Sequence, residues 1–299
     1  MKTAAAILRI PVSRPDLLFP AAAVDVQPFY RRLASRWHPD RNRAPGATEV
    51  FQRIAMLYAA AKKQIAAGRW GVGRRPFELG EMLIGDARVS FVVTPDAADL
   101  YASAVRTLRT FPYDSSVMRR QISHCLPQIE AAGPGTLVIK KAPDLVLLAD
   151  LLEHLDGPMP ATQVAWILSS LYNLACWLEW AGITHGAIGP DTVFVSRARQ
   201  TVALLGGWWY AAPVGTRIAA LPVRTVEIIP PDIVRDRIAD LRCDLELIRA
   251  TGRELLGDAS GARLLRDPSV PRAMADWLRH PSSGSALTDY RLWCLSTPR

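Results

Sequence analysis

The stretch Tyr30-Arg31-Arg32-Leu33-Ala34-Ser35-Arg36-Trp37-His38-Pro39-Asp40 closes an arginine-rich amphipathic segment with a tripeptide that cannot continue a helix. Upstream of it, Val26, Tyr30, Leu33 and Trp37 recur at three- and four-residue spacing, which places them on one helical face. Asp25 suits the N-cap, and Pro28 is tolerated in the first turn because its missing N–H would have no intrahelical partner there. A residue preceding proline is pushed out of the helical region, so the helix is expected to stop at His38. After the polar loop Arg41-Asn42-Arg43-Ala44-Pro45-Gly46, the run Ala47–Ala67 carries Phe51, Ile54, Leu57 and Tyr58 on one stripe. The pattern predicts two antiparallel helices joined by a loop.

Charge is as unevenly placed as hydrophobicity. The 299-residue chain has a formal net charge of +8 and 49% apolar residues, enough for ordinary globular cores. Residues 1–70 hold twelve Lys and Arg against four Asp and Glu, while the rest balances to zero. A basic helix of this kind can face an acidic protein partner, nucleic-acid phosphates or solvent. The sequence offers no finger, ribbon or aromatic ladder for reading bases, so nucleic acid is not the expected partner. Cys125, Cys176, Cys243 and Cys294 stand singly, which argues against disulfides and a zinc site. The run Ala4–Leu8 is broken by Arg9 and Pro11, too short for a signal peptide, and no apolar stretch reaches the length of a membrane span. A cytoplasmic protein without metal or cofactor is expected.

Gly68-Arg69-Trp70-Gly71-Val72-Gly73-Arg74-Arg75 reads as a linker, with a boundary near residue 72. Beyond it, Phe77–Ile84, Arg88–Thr94, Thr136–Lys140 and Leu145–Ala149 read as strands, with one helix over Ser116–Ala131. From Pro160 the pattern turns helical, with Val164, Ile167, Leu168, Leu171, Ala175 and Leu178 on one stripe that ends at Gly182, a left-handed terminator.

The N-terminal residues resemble the J-domain family: Tyr30-Arg31-Arg32-Leu33-Ala34, His38-Pro39-Asp40, then Phe51, Ile54 and Tyr58 stand where that family has its own pattern. The resemblance implies a first helix, here abbreviated to something near Pro15–Ala23, and docking on a heat-shock ATPase chaperone of the DnaK class. It makes His38, Pro39 and Asp40 the triggering loop and Arg31, Arg32 and Arg36 the docking charges. The body resembles protein kinases, with a small β-rich lobe, an extended joining segment over Leu145–Leu152 and a helical lobe. The likeness is most specific over Trp180–Val195, which kinases write H-R-D-L-x-x-x-N. Here His185 is kept, Gly186 stands for the arginine, Ala187 for the aspartate and Thr192 for the asparagine. Gly206 replaces the metal-binding aspartate that follows the next strand, and there is no lysine between Lys63 and Lys140. Asp244 matches the aspartate that braces the catalytic loop, Pro231-Asp232-Ile233 resembles the A-P-E element, and Arg291 is offered as its ion-pair partner.

The expected architecture is therefore α+β: a helical-hairpin J-domain over 1–70, a kinase-like N-lobe with small sheet and one helix over 71–152, and a helical C-lobe over 153–299. The expected function is that of a co-chaperone with an inactive, pseudokinase body that adapts an unidentified client. Two alternatives stand: a divergent phosphoryl or nucleotidyl transferase using Asp191 or Glu227, and a nucleic-acid-binding protein using the basic helix. Trp208, Trp209 and Tyr210 either fill the space of a nucleotide or form an exposed docking patch.

Overall fold

A computed structural model describes residues 3–297 other than 13, 21–22, 67–69, 71–72 and 156. The chain divides into two units, residues 1–75 with 83–86, and residues 76–82 with 87–299. Of the expected linker, Gly68, Arg69, Gly71 and Val72 lie outside the described residues, and so does the boundary near residue 72.

The first unit holds α1 (Ala4–Leu8), α2 (Ala23–Trp37) and α3 (Ala47–Ala66). Val26 and Leu33 of α2 and Val50, Ile54, Leu57 and Ala61 of α3 are buried in one core with Ile7, Ile10, Leu18 and Phe19. Tyr30 stacks on Tyr58 with centroids 3.9 Å apart, and His38 meets Phe51 edge-on at 5.3 Å. Moving up one helix therefore moves down the other, so the pair is antiparallel.

The front of this unit differs from expectation. Among the described residues near Pro15–Ala23, a 3-10 turn, Pro15–Leu17, stands in place of the expected helix. The helix falls earlier, at α1, where Thr3 Oγ1 accepts from Ala6 N at 3.3 Å and Ile7 supplies the buried residue. Because α2 starts at Ala23, Asp25 sits in its first turn rather than at the cap. Pro28 lies inside the helix, where it has no backbone N–H to donate one turn back.

A five-stranded sheet of order β1-β2-β3-β5-β4 follows, with β1 (Gly73–Phe77), β2 (Gly80–Ile84), β3 (Arg88–Val93), β4 (Gln128–Gly133) and β5 (Thr136–Lys140). Between β3 and β4 run α4 (Ala98–Arg109) and α5 (Ser116–Ile122). The expectation of one helix over Ser116–Ala131 is corrected on both sides. Ser115 Oγ caps α5 by accepting from Met118 N at 3.1 Å, and Pro127 bars helical geometry at Leu126. The remainder becomes β4, an edge strand so exposed that it shows no apolar alternation.

The joining segment is also shorter than expected. Only β6 (Val146–Leu147) is extended, and α6 (Leu148–His154) begins directly after it. Then come α7 (Ala161–Ala181), β7 (Ile183–Thr184), β8 (Val193–Ser196), β9 (Thr201–Leu204) and β10 (Ala212–Pro213). The last helices are α8 (Val223–Ile228), α9 (Pro231–Asp236), α10 (Arg242–Leu255), α11 (Arg272–Arg279) and α12 (Ala286–Ser296). The six stripe residues of α7 are all buried, and the helix ends on Gly182 at φ +67°, a conformation that costs glycine least. Gly252 of α10 lets the helices close in, since a Cβ there would lie 2.7 Å from both Leu168 and Leu278. Among the described residues, no helix is long and apolar enough to cross a membrane.

Candidate functional site

The exposed loop of the first unit follows from how α2 ends. Pro39 forbids a further turn, so the last helix carbonyls need donors from outside the helix. Asn42 Nδ2 donates to the Arg36 carbonyl at 3.2 Å, and its Oδ1 accepts from Ala44 N at 3.0 Å. Arg41 N and Asn42 N both donate to the His38 carbonyl, at 2.9 and 2.8 Å. His38 Nδ1 accepts from Asp40 N at 3.3 Å, which leaves the proton of the neutral ring on Nε2. The His38 side chain is 44% exposed and that of Asp40 84%, so a partner can reach both. Arg31, Arg32 and Arg36 are exposed on α2; Arg32 and Arg36, one turn apart, share a face.

Sequence reasoning missed two parts of this loop. One is Asn42, whose type at a helix C-terminus was the available signal. The other is Arg41, whose Nη1 donates to Ser35 Oγ at 3.0 Å and adds a fourth guanidinium beside the tripeptide.

In the second unit, Asp244 at the start of α10 is fully buried, and its oxygens accept from His185 N at 2.7 Å and Gly186 N at 2.8 Å. Burial pushes its carboxyl up to about 6, against the pull of those two donors. The His185 ring is buried as well. Its Nδ1 accepts from Ala187 N at 3.2 Å, so Nε2 carries the proton donated to the Gly206 carbonyl at 2.9 Å. Burial lowers its pKa to about 3, against that last bond. Thr192 Oγ1 donates to the Ala187 carbonyl at 2.7 Å and accepts from Gly189 N at 3.1 Å. His185, Ala187, Thr192, Gly206 and Asp244 thus meet at one loop, where the side chains of His185, Thr192 and Asp244 are spent on backbone groups.

Beside this loop lies a cavity of about 220 Å³, lined among others by Phe77, Glu78, Asp191, Trp209, Tyr210 and Arg224. Trp209 stacks on Phe77 with centroids 5.0 Å apart and meets Phe91 edge-on at 4.9 Å. Trp208, Trp209 and Tyr210 are all buried, which overturns the reading of this cluster as an exposed patch. The rings are held by apolar neighbours and hydrogen bonds: Trp208 Nε1 donates to the Leu204 carbonyl at 2.8 Å, and Tyr210 Oη donates to Glu78 Oε2 at 2.7 Å. Glu78 Oε1 accepts from Val223 N at 3.0 Å. Burial and then Glu78 raise the Tyr210 hydroxyl well above its ordinary value. Arg224 is held by Glu254 at 3.0 Å and by the Ile188 carbonyl at 2.9 Å.

Of the carboxylates considered for a transferase, Asp191 lines the cavity, whereas Glu227 is exposed on α8 outside its lining. The ion-pair partner of Asp232 is Arg242 at 2.7 Å, not Arg291, which is exposed on α12. The reason is proximity: Arg242 opens α10, where its guanidinium also reaches Asp240 at 2.8 Å.

Comparison with known proteins bears on the N-terminal part. A stretch of 39 residues there is 54% identical to DnaJ homolog subfamily B member 12 of Homo sapiens, covering 13% of this chain and 10% of that protein. Over 39 residues the chain is 51% identical to DnaJ homolog subfamily B member 14 of Xenopus laevis, and over 35 residues 51% identical to subfamily B member 14 of Bos taurus, again covering 10% and 9% of those proteins. The chain therefore spans about a tenth of the length of the curated relatives it matches. No protein-family model matches the sequence. The shared stretch supports a J-domain in the first unit, within a chain of mixed helix and sheet.

Proposed function

We propose that the first unit is a co-chaperone module that recruits a heat-shock ATPase of the DnaK class and speeds its ATP hydrolysis. His38, Pro39 and Asp40 form the triggering loop, and Arg31, Arg32 and Arg36 the docking charges. The observation that carries this is the 54% identity to a DnaJ homologue, joined to a tripeptide that stands exposed on a loop braced by Asn42. Its test is His38→Gln in the full chain. Stimulation of a DnaK-class ATPase should be lost while the far-ultraviolet spectrum and melting temperature hold, because the ring is 44% exposed. Undiminished stimulation by this variant rejects the role.

The second unit, in the same proposal, is a kinase-like scaffold without phosphoryl-transfer chemistry that selects a client. Three observations favour it. Asp244 braces the His185–Gly186 backbone as the kinase resemblance implies. Ala187 and Gly206 offer no carboxylate where that resemblance calls for a base and a metal ligand. The cavity of about 220 Å³ is also smaller than the roughly 300–1,000 Å³ of ordinary ligand pockets. Covalent linkage supplies the mechanism: a client held by the body meets the recruited chaperone at a raised effective concentration.

A further inference from the structure

The second unit carries a larger cavity, of about 620 Å³, walled by three segments. Met118, Gln121 and Ile122 stand at three- and four-residue spacing on α5, and Ser170, Asn173, Trp177 and Trp180 do so on α7, so each helix gives the cavity one face. The third wall is residues 200–202, from the β8–β9 turn into β9. A backbone bond from Leu204 N to the Cys125 carbonyl, at 2.8 Å, ties that strand to the turn after α5. The lining is graded. Ile122, Cys125, Trp177 and Val202 are buried, whereas Gln121, Asn173, Trp180 and Gln200 are exposed. It is also uncharged: no lysine, arginine, aspartate or glutamate is among the described lining residues. Burial pushes the Cys125 and Cys176 thiols up to about 11, which keeps them neutral as well.

Three groups in this lining are unserved by the chain itself. Trp180 is 47% exposed and makes no contact with another ring among the described residues, so its indole face is bare. The carboxamides of Gln121 and Gln200 form no hydrogen bond among the described residues. Gln200 moreover holds φ +49°, a left-handed conformation that glycine would adopt at less cost. Trp177 packs edge-on to Phe111 at 5.3 Å and is 5% exposed, yet its Nε1 finds no acceptor among the described residues, a costly state for a buried donor.

We propose that this cavity binds a small, neutral, aromatic lactam, a planar ring system whose edge carries an N–H beside a carbonyl. A bare indole takes an aromatic face by stacking. Each glutamine carboxamide offers a carbonyl acceptor and an NH₂ donor, the same two groups that alternate along a lactam edge. A ligand carbonyl is also the kind of acceptor that the Trp177 N–H lacks. With no lysine or arginine in the described lining to hold a phosphate or carboxylate tail, the molecule that fits is uncharged. The volume, about 620 Å³, falls within the roughly 300–1,000 Å³ of organic-ligand pockets. The proposal is independent of the chaperone reading.

The test is ligand-observed NMR titration of the full chain with quinolin-2-one, a neutral aromatic lactam, beside two analogues. Decahydroquinolin-2-one keeps the lactam and loses the aromatic ring, and 1-methylquinolin-2-one keeps the ring and loses the N–H. Saturable binding of quinolin-2-one is expected. It should weaken at least about tenfold in Trp180→Ala and for the saturated analogue, the loss that follows from removing one stacked aromatic pair. In Gln121→Ala/Gln200→Ala and for the N-methyl analogue it should weaken about fivefold, as the loss of a hydrogen bond implies. The three substituted side chains are exposed, so both variants should fold, which their melting temperatures check. The His38→Gln variant should bind as the wild type does, which separates this result from any failure of the chaperone assay. Absent saturable binding, affinity unchanged in either cavity variant, or equal affinity for either analogue, the proposal is overturned.

Discussion

His185 and Asp244 are both buried, Asp244 against the His185–Gly186 backbone, and their proton affinities are shifted in opposite directions by the same cause, the loss of water around a charge. For His185 the folded value is lowered to about 3, so its contribution is present above an unfolded value of about 6.5 and is lost as pH falls toward the folded one. For Asp244 the folded value is raised to about 6, so its contribution is present below an unfolded value of about 3.9 and is lost as pH rises through the folded one. Between roughly pH 4 and 6 the two slopes oppose, each at about 1.4 kcal/mol per pH unit. His185→Gln removes one of them. The stability of this variant minus that of the wild type should therefore climb by about 1.4 kcal/mol for each unit of acidification across that window, measured by urea unfolding at pH 4, 5 and 6. Parallel profiles for the two proteins would contradict the burial of a neutral imidazole.

At the level of elements, helix contact in the second unit depends on two features of α10. Gly252 leaves room for Leu168 of α7 and Leu278 of α11, each of which would lie 2.7 Å from an added Cβ. Both leucines are fully buried and have nowhere to retreat. Gly252→Ala should destabilise by about 1–3 kcal/mol through overpacking, although alanine gains up to about 1 kcal/mol of helix propensity; a net stabilisation in denaturant unfolding would refute the close approach. The second feature is a buried charge pair. Arg249 Nη2 donates to Asp289 Oδ2 of α12 at 3.0 Å, the pair being 2% and 0% exposed, and the guanidinium lies 3.7 Å from the Trp277 ring centroid of α11. Asp289→Ala leaves that cation without its carboxylate and should cost about 3–5 kcal/mol, read as a fall in urea midpoint.

Elements with strong periodicity were legible in the sequence, and those without it were not. The α2 and α7 stripes could be read because each buries one face against a core, whereas Asp244 was reached only through the resemblance to kinases. The strand β4 was read as helix because an exposed edge alternates nothing, and α4 was missed because only Ala104 and Leu108 of its residues are buried. The partner of Asp232 was misassigned because an ion pair depends on where helix ends meet, which spacing alone does not report. The bond from Tyr210 to Glu78 joins residues 132 apart in the chain, and no local pattern announces it.

For the whole molecule, the proposal divides labour between a unit that touches a chaperone and a unit that handles no nucleotide. Incubation with millimolar ATP and Mg²⁺ should leave the melting temperature unchanged, since a ligand that binds only the folded state must raise it; a rise of several degrees would return the transferase reading to consideration. The carboxylate of Glu78 gives that expectation a chemical basis. Both its oxygens are engaged, by Tyr210 and by the Val223 amide, and it lines the cavity that the proposed kinase-like reading would give to a nucleotide. Glu78 thus acts as a competitor tethered to its own receptor, one that dilution cannot remove, and any anion admitted to that cleft would first have to evict it.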